Sequence, residues 1–271
     1  MTNMKIAITG SRGMIGTYLN QYLTQTGHDV FEIHRDILDI TNTGAVSDFF
    51  KSRTFDVVIH GALHGREQVR NSGIDMYTVN MQMFNNIYYN SHRYGQLINL
   101  GSGTEYDSRT NIDNVDEQTI IKVNPENNYD KVKNHISRIC CNTKNFTTLR
   151  MFGVMSHTEA SNRFFKHLYE ADQFVIKNDR YFDFINLADL APVVLAVIEK
   201  QITDDQLNVV YPQKRKLSDL AQTFCQINNL DYNKVIIDNA TGLNYTGNSK
   251  RLDSYNIPYT GIEAGMALYK K

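Results

Sequence analysis

Four short runs, KIAIT at 5–9, DVVIH at 56–60, QLINL at 96–100 and FTTLR at 146–150, are dominated by apolar and β-favouring residues instead of alternating polar with apolar. A strand that hides both of its faces reads this way, whereas a strand with one face in water alternates. Between these runs apolar residues recur at helical spacing, in Met14 to Leu23, Gly44 to Lys51 and Asp75 to Arg93, with one more strand at Val30 to Ile33. Such alternation predicts an α/β, doubly wound fold: a parallel sheet with crossover helices on both faces.

After Arg150 the rhythm loosens. Helices are expected at 160–171, 187–201 and 217–227, strands at 174–176, 181–185 and 207–210, and a surface strand and helix from Tyr255 onward. This divides the chain into a first domain, 1–150, and a smaller α/β lobe, 151–271. No Gly/Ser linker separates them, so the first domain is expected to recruit parts of the later chain.

The chain has 271 residues and a formal net charge of −1, which removes the electrostatic reason to propose nucleic acid as a partner. Cys140, Cys141 and Cys225 lack metal-ligand spacing, and the histidines form no H-E-x-x-H pattern, so no metal is expected. The apolar stretch from Leu190 to Ile198 is too short to cross a bilayer. No membrane association and a cytoplasmic location are the expectation.

Gly10-Ser11-Arg12-Gly13-Met14-Ile15-Gly16 lies where the first strand turns into the first helix. Glycines at this spacing allow a tight turn, close backbone approach to a pyrophosphate, and tight helix packing, as in a Rossmann dinucleotide site. The helix N-terminus then faces the phosphates. Beyond the second strand stands His34-Arg35, and Arg35 together with Arg12 offers guanidinium groups to a 2′-phosphate. That points to NADP, with NAD as the alternative because Asp36 follows directly.

Tyr129 and Lys133 form the chain's single Tyr-x-x-x-Lys, on a segment that Pro125 could start as a helix, so phenol and ammonium share one face. A free phenol has a pKa of ~10, and bringing it to neutrality takes about 4 kcal/mol. A cation ~5 Å away at an effective dielectric of ~20 supplies roughly 3 kcal/mol of that. Tyr129 could then protonate a carbonyl oxygen as hydride reaches its carbon. Ser102, just past the QLINL strand, offers a hydroxyl to the same oxygen, with Thr104 as a helper.

With these residues in hand, the sequence resembles the extended short-chain dehydrogenase/reductase family of NAD-dependent epimerases, dehydratases and reductases of sugar nucleotides. The likeness is greatest to its GDP-fucose synthase and 4-keto-6-deoxy sugar-nucleotide reductase branches. It runs through GSRGMIG at 10–16, HRDILDIT at 34–41, DVVIHGA at 56–62, LGSGTEYD at 100–107, YDKVK at 129–133, LRMFGV at 149–154 and DFINLADLA at 183–191. The resemblance implies that Asp39 and Ile40 lie near the adenine, that Gly61, Ala62 and Asn80 belong to the cofactor site, and that Lys133 also holds the cofactor ribose. It further implies a nucleoside-diphosphate sugar bound between the lobes, and a homodimer formed through helices beside the active site.

Departures narrow the reaction. Thr104 stands where GDP-fucose synthases have a cysteine, and for their catalytic histidine only His157 or His167 is at hand, so double epimerisation is not expected. Thr104-Glu105 supplies at most half of the acidic pair of the dehydratases. Gly153 stands where relatives have the asparagine that holds the substrate pyrophosphate, so the expected substrate contacts are Thr104 and Gly153, with Arg180, Asn186, Lys250 and Arg251 from the later chain to compensate. What remains is NADPH-dependent reduction of the 4-keto group of a nucleoside-diphosphate 4-keto-6-deoxy sugar. The alternatives are a 4-epimerase with tightly bound NAD and a non-catalytic dinucleotide-binding regulatory subunit.

Overall fold

The computed structural model describes residues 3–65, 73, 75–238 and 242–269. Its centre is a six-stranded sheet built from β1 (Lys5–Thr9), β2 (Asp29–Ile33), β3 (Phe55–His60), β4 (Tyr94–Ser102), β6 (Phe146–Met151) and β10 (Gln206–Val209), ordered β10-β6-β4-β3-β1-β2. Every pairing in it is parallel. A shorter strand, β5 (Ile112–Val115), lies outside this sheet.

Alternate residues of the strands feed two cores. Ile6, Ile8, Val57, Ile59, Ile98 and Leu100 pack with α1 (Met14–Gln25) and the helix Leu187–Ile198. Ala7, Val58 and Leu97 face the other way, toward α2 (Thr43–Ser52), α3 (Met76–Tyr88) and α4 (Asn128–Cys141). Both faces are covered, which is why these strands carry no polar alternation. Side chains start the helices where loops must stop: Asn42 accepts from Ala45 N, Asp75 from Thr78 N and Asn127 from Asp130 N. The doubly wound sheet expected from the alternation is the one observed.

Strand order reverses between β1 and β3, opening a crevice at their carboxyl ends. Gly61 N donates to Thr9 O (3.2 Å), and the Thr9 hydroxyl meets His60 Nδ1 at 3.0 Å, so the two strand ends are tied side by side.

The later chain divides its loyalties. The helix Leu187–Ile198, β10 and the segment from Leu252 to Tyr259 pack with the large sheet, while much of the remainder gathers around a separate apolar core as a second lobe. There β7 (Gly153–Met155) pairs with β9 (Phe184–Asn186), β8 (Phe174–Ile176) with β11 (Val235–Ile237), and β12 (Tyr245–Gly247) with β5. Phe165, Phe174, Phe184, Phe224 and Tyr269 fill its core.

Two local expectations differ from the structure. The helix expected from Ala160 begins at Phe164, because residues 156–163 form a loop in which buried Glu159 accepts from Lys166 N (3.0 Å). No surface strand follows Tyr255 among the described residues. A turn through Gly261, at φ +90°, leads instead to a short helix, Ile262–Met266, whose Ile262 and Met266 are buried in the second lobe.

Candidate active site

Three connected spaces line the carboxyl ends of the strands. The first, of about 370 Å³, lies over β2 and is bordered by Gly10, Gly13, Arg12, Arg35, Asp39, Ile40 and Ala62. The second, of about 410 Å³, runs from Gly10, Gly13, Met14, Ile15, Gly16 and Gly61 to Ser102, Tyr129 and Lys133. The third, of about 350 Å³, continues from Ser102, Thr104 and Tyr129 to Arg180, Phe182 and Tyr245 of the later chain. A larger cavity, of about 640 Å³, sits at the opposite end of the strands around Asp56, Gly95 and Phe146, away from all of these groups.

The glycine loop is fitted for close approach. A methyl at Gly16 would lie 2.4 Å from Gly10 O, and one at Gly10, where φ is +73°, would lie 2.8 Å from Ala62 N. Ser11 Oγ is buried in this loop without a hydrogen-bond partner among the described residues. Together with the unpaired amides at the start of α1, this matches what a dinucleotide pyrophosphate requires.

At the far end of that loop Arg12 is ion-paired with Asp36, both largely exposed, so the pair is weak and exchangeable. Asp39 borders the same space, but its carboxylate accepts from Thr41 N (3.0 Å) and Thr41 Oγ1 (2.7 Å), which hold its pKa below the usual carboxylate range.

Tyr129 and Lys133 project from one face of α4. The Lys133 ammonium is buried and donates to Leu100 O at 2.9 Å, and burial lowers its pKa. Burial raises the Tyr129 phenol, a hydrogen bond with Ser102 lowers it, nearby Glu105 and Asp130 raise it, and Arg163 lowers it. Ser102 closes β4 where the chain turns into a 3-10 helix, Gly103–Tyr106. Its hydroxyl accepts from Thr104 N (3.3 Å) and Thr104 Oγ1 (3.1 Å), leaving its own proton for a phenol or a ligand. Among the described residues no group of histidine, cysteine or acidic side chains is arranged to hold a metal.

Several residues singled out in the sequence serve other ends. Asn80 bridges His64 N (2.8 Å), His64 O (3.0 Å) and Met76 O (2.8 Å), and so holds the loop after β3 instead of bordering the crevice. Gly153 sits under the rings of Phe184 and Phe182, where a methyl would lie 2.6 Å from Phe184. Asn186 caps the helix Leu187–Ile198 through Ala188 N and reaches Thr260. Arg251 pairs with Glu117 (3.5 Å) and Asp204 (3.6 Å). None of these four borders the third cavity; Arg180 and Thr104 do. His157 is exposed and His167 packs on Phe174, and neither borders the second or third cavity.

Sequence reasoning missed Arg163 and Tyr245. Arg163 borders both the second and the third cavity, as do Ser102, Tyr129 and Phe152. Tyr245 brings a second, buried phenol to Ser102 from β12. No spacing signal marks either residue.

A dinucleotide crevice joined at a Ser-Tyr-Lys group to a second-lobe cavity defines the short-chain dehydrogenase/reductase class. The family of NAD-dependent epimerases and dehydratases matches residues 6–210, and the chain belongs to it. Over 111 residues it is 32% identical to GDP-L-fucose synthase of Escherichia coli K12, an alignment spanning 39% of this chain and only 35% of that protein. Solved structures share the fold over nearly the whole length. A GDP-mannoheptose C4 reductase from Campylobacter jejuni with NADP bound superposes with a TM-score of 0.81 at 20% identity, covering 99% of this chain and 98% of that one. A dTDP-4-dehydrorhamnose reductase from Clostridium acetobutylicum gives 0.81 at 20% identity, covering 98% of each. WbmG from Bordetella bronchiseptica, in complex with NAD and UDP, gives 0.83 at 14% identity, covering 99% and 93%.

Proposed function

We propose that the protein reduces the 4-keto group of a nucleoside-diphosphate 4-keto-6-deoxy sugar with NADPH. The observation that carries this reading is that Ser102 and Tyr129 stand where the glycine-lined cavity and the second-lobe cavity meet. A carbonyl held there faces a hydroxyl and a phenol on one side and the dinucleotide space on the other.

Bound along the glycine loop, NADPH would supply the hydride for the carbonyl carbon. Tyr129, kept in its acid form by burial, donates its proton to the carbonyl oxygen, and the C=O becomes an alcohol. Ser102 donates a hydrogen bond to the same oxygen and orients it. Lys133, with Leu100 O as its alternative partner, holds the nicotinamide ribose. Arg12 and Arg35 take the 2′-phosphate, with Asp36 released from Arg12. Arg163 and Arg180 take the sugar-nucleotide diphosphate; the Arg180 guanidinium lies over the Phe182 ring, and its Nε is buried without a hydrogen-bond partner among the described residues, and so ready to donate. Phe152, Phe182 and Tyr245 wall the sugar. A homodimer and a cytoplasmic location belong to the same proposal.

A panel of GDP- and dTDP-linked 4-keto-6-deoxyhexoses, with NADPH oxidation followed optically, tests this. Oxidation dependent on one of these substrates is expected. Purified protein that carries stoichiometric NAD and interconverts sugar-nucleotide epimers with no cofactor added would show a 4-epimerase instead. Binding of dinucleotide without turnover of any sugar would point to a regulatory subunit.

A further inference from the structure

Glu105 and Arg150 are completely buried and ion-paired, with Arg150 Nε donating to Glu105 Oε2 at 2.6 Å. Each is saturated. Arg150 Nη1 donates to Tyr106 OH (2.9 Å) and Asn208 Oδ1 (3.2 Å), and its Nη2 to Gln206 Oε1 (3.3 Å). Glu105 Oε2 also accepts from Ser137 Oγ (2.6 Å), and Glu105 O accepts from Asn134 Nδ2 (2.8 Å). The remaining oxygen, Oε1, accepts from Ser102 N at 2.8 Å. Room for it is kept by Gly101, where a methyl would lie 2.6 Å from that oxygen.

One carboxylate thus joins the carriers of the whole proton-transfer group. Ser102 closes β4; Ser137 stands one turn beyond Lys133 and two beyond Tyr129 on α4; Arg150 belongs to β6. Desolvation makes a buried ion pair a poor source of stability, since apolar residues of similar volume often serve as well. What apolar residues cannot supply is an acceptor for Ser102 N, which the chain presents as it leaves the sheet.

We infer that the Glu105–Arg150 pair is a strut that positions Ser102 against Tyr129, with Glu105 as the positioning residue and Arg150 as its anchor. The inference deepens the reductase reading and rests on it. Because the strut fixes the backbone that carries the hydroxyl, its loss slows turnover while cofactor and substrate still bind.

Two variants separate positioning from plain stability. Glu105→Gln breaks the ion pair but keeps an oxygen for Ser102 N. The double variant Glu105→Leu/Arg150→Met removes both charges and fills the space, so its Tm recovers toward wild type. The expected result is that Glu105→Gln melts lower yet keeps kcat within about threefold. The double variant is expected to lose about thirtyfold in kcat with KM for NADPH unchanged, a misplaced catalytic group costing up to about a hundredfold. Hydrogen exchange of the Ser102 amide, which needs no substrate, is expected to accelerate about tenfold in the double variant and stay slow in Glu105→Gln. Activity and exchange that follow Tm instead of the oxygen overturn the strut. Should the double variant fail to fold, Glu105→Gln/Arg150→Met serves, since it keeps the oxygen but removes the anchor: Ser102 exchange faster than in Glu105→Gln alone supports the strut, and exchange no faster overturns it. Tyr129→Phe, run alongside, keeps the two claims apart: full activity there sinks the reductase reading, whereas loss there with an intact double variant sinks only the strut.

Discussion

Along the carboxyl ends of β1 and β3 the crevice is walled by backbone, whereas the opposite wall, contributed by the later chain, is made of side chains. Gly10, Gly13, Gly16 and Gly61 face the space on the first wall, and side chains such as Thr9 and His60 are turned to hold those strand ends together. On the second wall Arg163, Arg180, Phe152, Phe182 and Tyr245 do the facing. A backbone wall accepts a shape common to all dinucleotides and admits nothing larger than a hydrogen at its closest points. A side-chain wall can change one residue at a time, so in the proposed reading substrate choice is made there. Tyr129 and Ser102 stand on the line between the two.

The largest expected effect falls on that line. Tyr129→Phe should lower kcat by about a thousandfold, the range for a positioned proton donor, while leaving NADPH affinity unchanged in a fluorescence titration. Next comes the backbone wall. Gly16→Ala should weaken NADPH binding by about tenfold to a hundredfold, as expected for 1–3 kcal/mol of overpacking against Gly10 O, and a normal Kd would break the contrast between the walls. The side-chain wall should answer the other way: Arg180→Ala should raise the KM for the sugar nucleotide about tenfold with the NADPH Kd untouched, the size of a lost charge-assisted hydrogen bond.

Two smaller effects depend on pH. The buried phenol of Tyr129 is raised, so kcat for reduction should hold through neutrality and fall only as pH climbs through that raised pKa. Arg163 favours the phenolate; Arg163→Ala should move the fall to higher pH, and a move to lower pH would count against its placement. His60, behind the backbone wall, is pushed down to about 3 by burial and by Lys133. An unfolded chain takes up that proton near pH ~6.5, so the stability is present above that pH and is lost as pH falls toward the folded value. About 2 kcal/mol should be gone by pH ~5, and His60→Gln should flatten this slope in denaturant titrations.

The contrast also explains what could be read in advance. Gly10, Gly13 and Gly16 are legible because close backbone approach demands glycine at set spacing. Tyr129 and Lys133 are legible because one helix turn joins them, and Ser102 because it ends an apolar strand. Arg163 and Tyr245 are not, since their positions depend on the second lobe and on β12 pairing with β5, far away in sequence. Asn186 and Arg251 have the right chemistry for a diphosphate, but a helix cap and two carboxylates claim them. Glu105, read from sequence as half of an acidic pair, finds its partner in Arg150 of β6, which only the folded sheet brings beside it.

The most direct test follows the hydride. With NADPH deuterated at the transferred position and a 4-keto-6-deoxy sugar nucleotide, NMR of the product should show one deuterium at C4 of the sugar for each NADPH consumed. Sugar whose configuration changes without gaining deuterium, or NADPH that is bound and never consumed, would contradict the account.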